Sequence, residues 1–231
     1  VQNNNGLGAV STGSNGTFVT SGAELQFSNA ASGNLTIGGE ALTISGAGVG
    51  GTQGALRNVA GNNSFAGLIT LGAASTIQSD ANTLTLSGGT SSANYGLTIT
   101  GAGNTTISGN MTNGTGGLIK NGAGSLTIAS GATQTAAVGK VDLNAGSITV
   151  GNGANTNTLT ANEFDALGGT TLTIASAGLV NVTQAASVTS SFAGAMAGAG
   201  EFKFTGADST SILALSNSFT ASSLTLTLGG G

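Results

Sequence analysis

The chain is 231 residues long and 42 of them are glycine, against a usual share of about 7%. Charge is scarce: four Lys or Arg stand against eight Asp or Glu, and proline, cysteine, histidine and tryptophan are absent. These counts exclude disulfides, thiol nucleophiles, Ser-His-Asp sites and imidazole metal ligands, and four cations do not neutralise a nucleic-acid backbone.

No apolar run approaches the roughly 18 residues a membrane helix needs. The sequence starts at Val1 without a basic segment followed by an apolar one, which reads as a mature or excised part of a longer precursor. Disorder calls for low hydrophobicity and high net charge. Here 39% of residues are hydrophobic and the net charge is −4.

Taken in chain order, the first clear element is Leu42-Thr43-Ile44. Similar triplets begin at Leu84, Thr105, Leu126, Ile148, Leu172, Phe202 and Leu224, and from Leu84 onward the steps are 21, 21, 22, 24, 30 and 22 residues. A second ladder runs through Ile77, Leu97, Leu118, Val141 and Phe164, and continues less clearly to Phe192 and Leu213. Alternation of apolar and polar residues within each triplet predicts strands with one buried face. Glycines flank the triplets and suit tight corners. Glycine inside every helix-like window argues against long helices.

A 21–24-residue period of short strands predicts a β-solenoid of about ten coils, stacked as parallel strands about 4.8 Å apart. Residues 1–231 form a single domain in this reading. An antiparallel sandwich has no reason to hold a 21-residue register. Absence of proline fits strands whose N–H groups all serve the next coil.

Certain stretches resemble a known family. Gly54-Ala55-Leu56-Arg57-Asn58-Val59-Ala60-Gly61-Asn62-Asn63-Ser64-Phe65-Ala66-Gly67, Ile69-Thr70-Leu71-Gly72, Asn82-Thr83-Leu84-Thr85-Leu86-Ser87-Gly88 and Gly117-Leu118-Ile119-Lys120-Asn121-Gly122-Ala123-Gly124-Ser125-Leu126-Thr127-Ile128 resemble the autotransporter-associated β-strand repeat. The likeness covers about residues 50–150. The family's Tyr-Thr-Gly-Gly-Thr turn is missing after Phe65, so the chain resembles a divergent member. The resemblance implies a right-handed parallel β-helix, the passenger region of a secreted or surface protein of a Gram-negative bacterium.

Carboxylates are the candidate catalytic groups. With Val141 and Phe164 inward, Asp142 and Asp165 stack outward on adjacent coils, with Lys140 beside Glu163. A separation of about 5 Å suits a retaining glycosidase pair or an oxygen-ligand Ca²⁺ site. The simpler reading is a solvated face with one Lys-Glu pair, worth about 0–1 kcal/mol. The glycine-rich Ca²⁺ nonapeptide of RTX repeats does not occur.

Thr85, Thr106, Thr127, Thr149, Thr173 and Thr225 form an outward file, broken by Lys203. A threonine file suggests ice binding, but such faces need two parallel files and the positions flanking this one are inward Leu and Ile, so the simpler reading is a good strand former kept soluble. Phe18, Phe27 and Phe219, with the C-terminal Leu224, Leu226 and Leu228, mark the two ends. Neither end carries a blunting element, so self-association is expected there.

These features point to a non-enzymatic extracellular structural protein without cofactor or metal. It would serve as an adhesin stalk or passenger, or as a fibre subunit. Its expected partners are further copies joined head-to-tail or the continuing parent rod, with host or matrix glycans as a further class. The adhesin version places a sticky loop in the 30-residue step before Phe202. A polysaccharide-active enzyme and an ice-binding protein are the alternatives.

Overall fold

A computed structural model describes residues 1–8, 16–28, 34–130, 133–216 and 224–230. The described residues form short strands joined by tight corners, and every strand pairing is parallel. One 3₁₀ turn, Val49–Gly51, is the helical element among them. The fold is a β-solenoid of about nine turns.

A typical coil carries three strands. In one coil these are Leu97–Thr100, Asn104–Ile107 and Met111–Thr112, after which Leu118–Lys120 opens the next. Three faces result. On the first, Leu84, Thr105, Leu126, Ile148, Leu172 and Met196 stand in direct register. On the second, Leu97, Leu118, Val141 and Phe164 do the same. The third column is the longest: Thr17, Leu42, Ile69, Thr90, Met111, Ala136, Leu159, Val180, Phe202 and Leu226. Strand Ile69–Ser79 turns a corner without a break and serves the second and third faces together.

The period of the sequence is therefore real, but three triplets change face. Leu42 and Phe202 belong to the third column, and the rung after Leu172 is Met196. The apparent 30-residue step is a regular coil, with strands Gly178–Gln184, Thr189–Phe192 and Ala195–Gly198 where a sticky loop was expected. Thr225 pairs with Glu201 and Lys203 with Asn181, so neither lies on the face of the threonine file. The reason is physical: all three strands of a coil need the same apolar-polar-apolar pattern, so a matching triplet does not say which face it occupies. In the second ladder, Ile77 pairs with Ile99, Phe192 with Ala166, and Leu213 with Ser190. These offsets are two residues, which keeps each side chain inward.

The interior is a continuous apolar filling. Leu84, Leu126, Ile148, Leu172, Ile107, Val150, Leu118, Val141 and Phe164 have no accessible surface. Phe27 stacks on Phe65, and Phe164 on Phe192, with ring centroids 6.2 and 4.8 Å apart. Full burial of each Leu, Ile or Phe contributes about 1.5–3 kcal/mol.

The corners need close backbone approach. The Gly-Ala-Gly runs at 101–103 and 122–124 lie on one another: a Cβ on Gly124 would sit 1.8 Å from the Gly103 carbonyl oxygen. Gly122 adds a φ of 72°. Asparagine does related work. The Asn62, Asn82 and Asn104 side-chain oxygens accept from the backbone N–H of Thr83, Gly61 and Ser125 on neighbouring coils. A carboxamide oxygen thus replaces a ladder acceptor where the strands have ended.

Candidate functional site

The carboxylates fall where the alternation places them. Strands Lys140–Leu143 and Glu163–Ala166 pair with Lys140 against Glu163 and Asp142 against Asp165. Val141 and Phe164 between them are fully buried, so the charged residues face outward. Lys140 Nζ lies 3.0 Å from Asp142 Oδ1, 2.8 Å from Glu163 Oε1 and 2.8 Å from Asp165 Oδ2. The expected Lys-Glu pair is thus a four-member network, with Lys140 clamping three carboxylates across two coils.

Its electrostatics set its chemistry. Hydrogen bonds from Lys140 to Asp165 and Glu163 push the Lys140 pKa up. Partial burial pushes Asp165 up, but Lys140 together with the N–H and hydroxyl of Ser191 holds it below the ordinary carboxylate range. Asp165 is therefore a charged acceptor at neutral pH. A glycosidase acid needs the reverse, a carboxyl kept protonated. Among the described residues no group of three or more carboxylates is arranged to hold a metal ion.

A second charged cluster was not anticipated. Arg57 donates to Asp80 from Nε at 2.7 Å, approaches Glu24 at 3.4 Å, and bonds Gln53. Gln53 is a near neighbour in sequence, but Glu24 and Asp80 are 33 and 23 residues from Arg57 and meet it only because the coils stack. Glu40 is buried and accepts from the Thr17 hydroxyl at 2.6 Å. It lines a cavity of about 560 Å³ at the N-terminal end with Asn4, Leu7 and Thr36. None of the Lys140 cluster lines that cavity.

Lys120 enters the sequence reading only as a letter of the repeat. In the structure it is 1% exposed and stands in the interior column between Ile99 and Leu143. Its Nζ donates to the carbonyls of Asn121, Gly122 and Ala145 at 2.7, 2.8 and 3.3 Å. Desolvation lowers its pKa from 10.5 to about 8.

The threonine file occupies the first face. Thr85, Thr106, Thr127, Thr149 and Thr173 are in direct register and half-buried. Two residues earlier on each strand runs a second outward file: Thr83, Asn104, Ser125, Ser147 and Thr171. The strands therefore carry paired polar files across five consecutive coils, where one file was expected. No charged residue interrupts either.

No family model, curated protein or solved structure matches the chain. The architecture and its surfaces are what the structure establishes.

The end residues divide. Phe27 is fully buried in the core, while Phe18 is 66% exposed on the outward side opposite Thr43. Leu224 packs partly against the core, and Leu226 and Leu228 are 38% and 65% exposed. Phe219 lies outside the described residues. At the N-terminal end two of the three faces have a cover that the sequence did not suggest. Val1 accepts from Ser28 N–H and donates its ammonium to Gln26 O, Asn4 Oδ1 accepts from Thr36 N–H, and Val1 and Leu7 pack on the core.

Proposed function

We propose that the chain is a non-enzymatic structural element of an extracellular or cell-surface protein of a Gram-negative bacterium, a rod that acts as a stalk or passenger or as the subunit of a fibre. The observation that carries this reading is the ten-rung column from Thr17 to Leu226, which continues through nine turns without interruption. Such a stack resists local opening because each interior rung is hydrogen-bonded on both sides. Likeness to the autotransporter-associated repeat supports the surface location. Host or matrix glycans remain candidate ligands of the exposed faces. The described residues contain no helix long and apolar enough to cross a membrane.

The test combines imaging with labelling. Purified chain viewed by negative stain is expected as short rods or fibres, and antibodies raised against it are expected to label intact source cells. Globular particles, or labelling only after the cells are lysed, would refute the reading. A polysaccharide-active role has less support, because Lys140 and Ser191 occupy the Asp165 carboxylate. Replacing Asp142, Glu163 and Asp165 by alanine is expected to change no turnover on neutral or acidic glycans.

A second reading rests on the paired polar files of the first face. Regular hydroxyls and amides on one uncharged sheet can order water, as ice binding requires. Thermal hysteresis in dilute solution, abolished by Thr106→Lys with Thr127→Lys, is the expected sign. Its absence in the unaltered chain would remove this reading.

A further inference from the structure

One seam of the second face is built differently from the rest. Strand Glu163–Ala166 meets Lys140–Leu143 on one side through four matched residue pairs. On its other side it meets Thr189–Phe192 through one, Ala166 with Phe192. Every other pairing between described strands matches at least two. Side chains fill the gap. The Phe164 N–H donates to the buried Ser190 hydroxyl at 3.0 Å. The Ser191 N–H and hydroxyl donate to Asp165 Oδ1 at 2.7 and 2.9 Å. The next rung, Ile212–Leu215, returns to four matched pairs. A carboxylate therefore stands where backbone carbonyls serve elsewhere.

Few charges surround it. Lys140 Nζ lies 2.8 Å from Asp165 Oδ2 and is shared with Asp142 and Glu163. Strands Thr189–Phe192 and Ile212–Leu215 carry no ionisable side chain. A charged acceptor makes stronger hydrogen bonds than a neutral one, so a protonated Asp165 holds Ser191 less well and no longer attracts Lys140. The other faces of the same coil do not depend on it. Gly178–Gln184 matches Asn157–Ala161 through five pairs, and Ala195–Gly198 matches Thr171–Ile174 through four.

We propose that Asp165 makes this seam an acid-sensitive joint: when its carboxylate is neutralised, strand Thr189–Phe192 lifts from the second face while the first and third faces keep the coil in the stack. Lifting separates the Phe192 ring from Phe164, on which it stacks with centroids 4.8 Å apart. The sign follows from linkage. Burial raises the Asp165 pKa, but the bonds from Lys140 and Ser191 outweigh it and hold it below the ordinary value. The contribution is complete above the unfolded value of about 3.9 and is lost as pH falls through the lower folded one.

The test is hydrogen exchange on the whole chain, read amide by amide as protection factors from about pH 6 to about pH 2. Ser191 should lose protection at least about tenfold, the weight of one charge-assisted bond. Ala195 and Ala199, whose N–H groups donate to the carbonyls of Thr170 and Ile174, should keep theirs. D165N retains an acceptor oxygen without the charge, so its Ser191 should be less protected at pH 6 and indifferent to acid. K140M removes the cation and leaves the Ser191 donors, so the loss should begin at a higher pH than in the parent. Constant Ser191 protection in the parent, an equal acid loss in D165N, an onset unmoved by K140M, or loss at Ser191, Ala195 and Ala199 together would each overturn the joint.

Discussion

Lys120 brings an ammonium into a column of apolar side chains, and desolvation costs the charged form. Three carbonyl acceptors oppose part of that cost. The sign follows from linkage: below about pH 8 both folded and unfolded chains carry the proton, and between about 8 and 10.5 only the unfolded chain does. Stability therefore rises as pH increases through that window, and its gain is lost again as pH falls through 8. The full shift sets a ceiling of roughly 3 kcal/mol, and about 1–3 kcal/mol is expected. Urea titrations at pH 7 and pH 10 measure it; Lys120→Met should flatten the difference. An equal pH response in parent and variant would show that Lys120 is solvated. This residue was hard to read in the sequence because a long aliphatic stem fits an apolar position as well as a surface one. By contrast, Asp142, Glu163 and Asp165 were legible, since each follows or precedes a strong inward residue on a short strand. What the alternation could not give was the reach of Lys140 to all three, which depends on side-chain length rather than register. Thr105, inward and with its hydroxyl unpaired, keeps its place because the stack around it fixes the strand.

At the scale of the element, corners decide as much as strands. The glycines flanking the triplets were recognisable as corners, and the structure adds that the consecutive Gly-Ala-Gly runs at 101–103 and 122–124 lie in contact. Gly124→Ala would drive a methyl group into the Gly103 carbonyl. Backbone must then shift in two coils at once, so a loss of about 2–4 kcal/mol is expected, within the range of overpacking and strain. Chemical denaturation of the variant checks this. Gly117→Ala serves as the control, because its nearest contact, at 3.4 Å, is the Lys140 carbonyl. Strand existence and the 21-residue step were legible through Leu97, Leu118, Leu126 and Ile148. The assignment of Leu42, Phe202 and Thr225 to faces was not, because equivalent strands on three faces obey one pattern. Nor was the Arg57 network, whose members Glu24 and Asp80 become neighbours only once the coil lengths are known.

For the whole molecule, stacking makes length a matter of counting. Thr105 and Leu126 are direct neighbours, as are Ile107 and Ile128. Excision of residues 104–124 therefore removes one closed turn and rejoins Gly103 to Ser125 at a matching position. The shortened chain is expected to fold cooperatively and to lose some stability through one fewer interface, as nearest-neighbour stacking requires. Circular dichroism and a melting curve check it, and collapse to an unfolded chain would contradict the register. Removing ten residues from the same region should by contrast turn inward columns out of line and prevent folding. The N-terminal cover escaped the sequence reading because Asn-rich segments look like loops until an edge amide is set before them.

Strand Ile69–Ser79 passes unbroken around a corner, while the next two rungs of the third face, Thr90–Ser91 and Met111–Thr112, are held by two residues each. A rod built this way does not flex evenly. Pulled or bent, it has a stiff collar directly beside a thin seam. Under load residues 90–112 are expected to open before the collar does, a tear line that single-molecule pulling between cysteines placed on either side would locate.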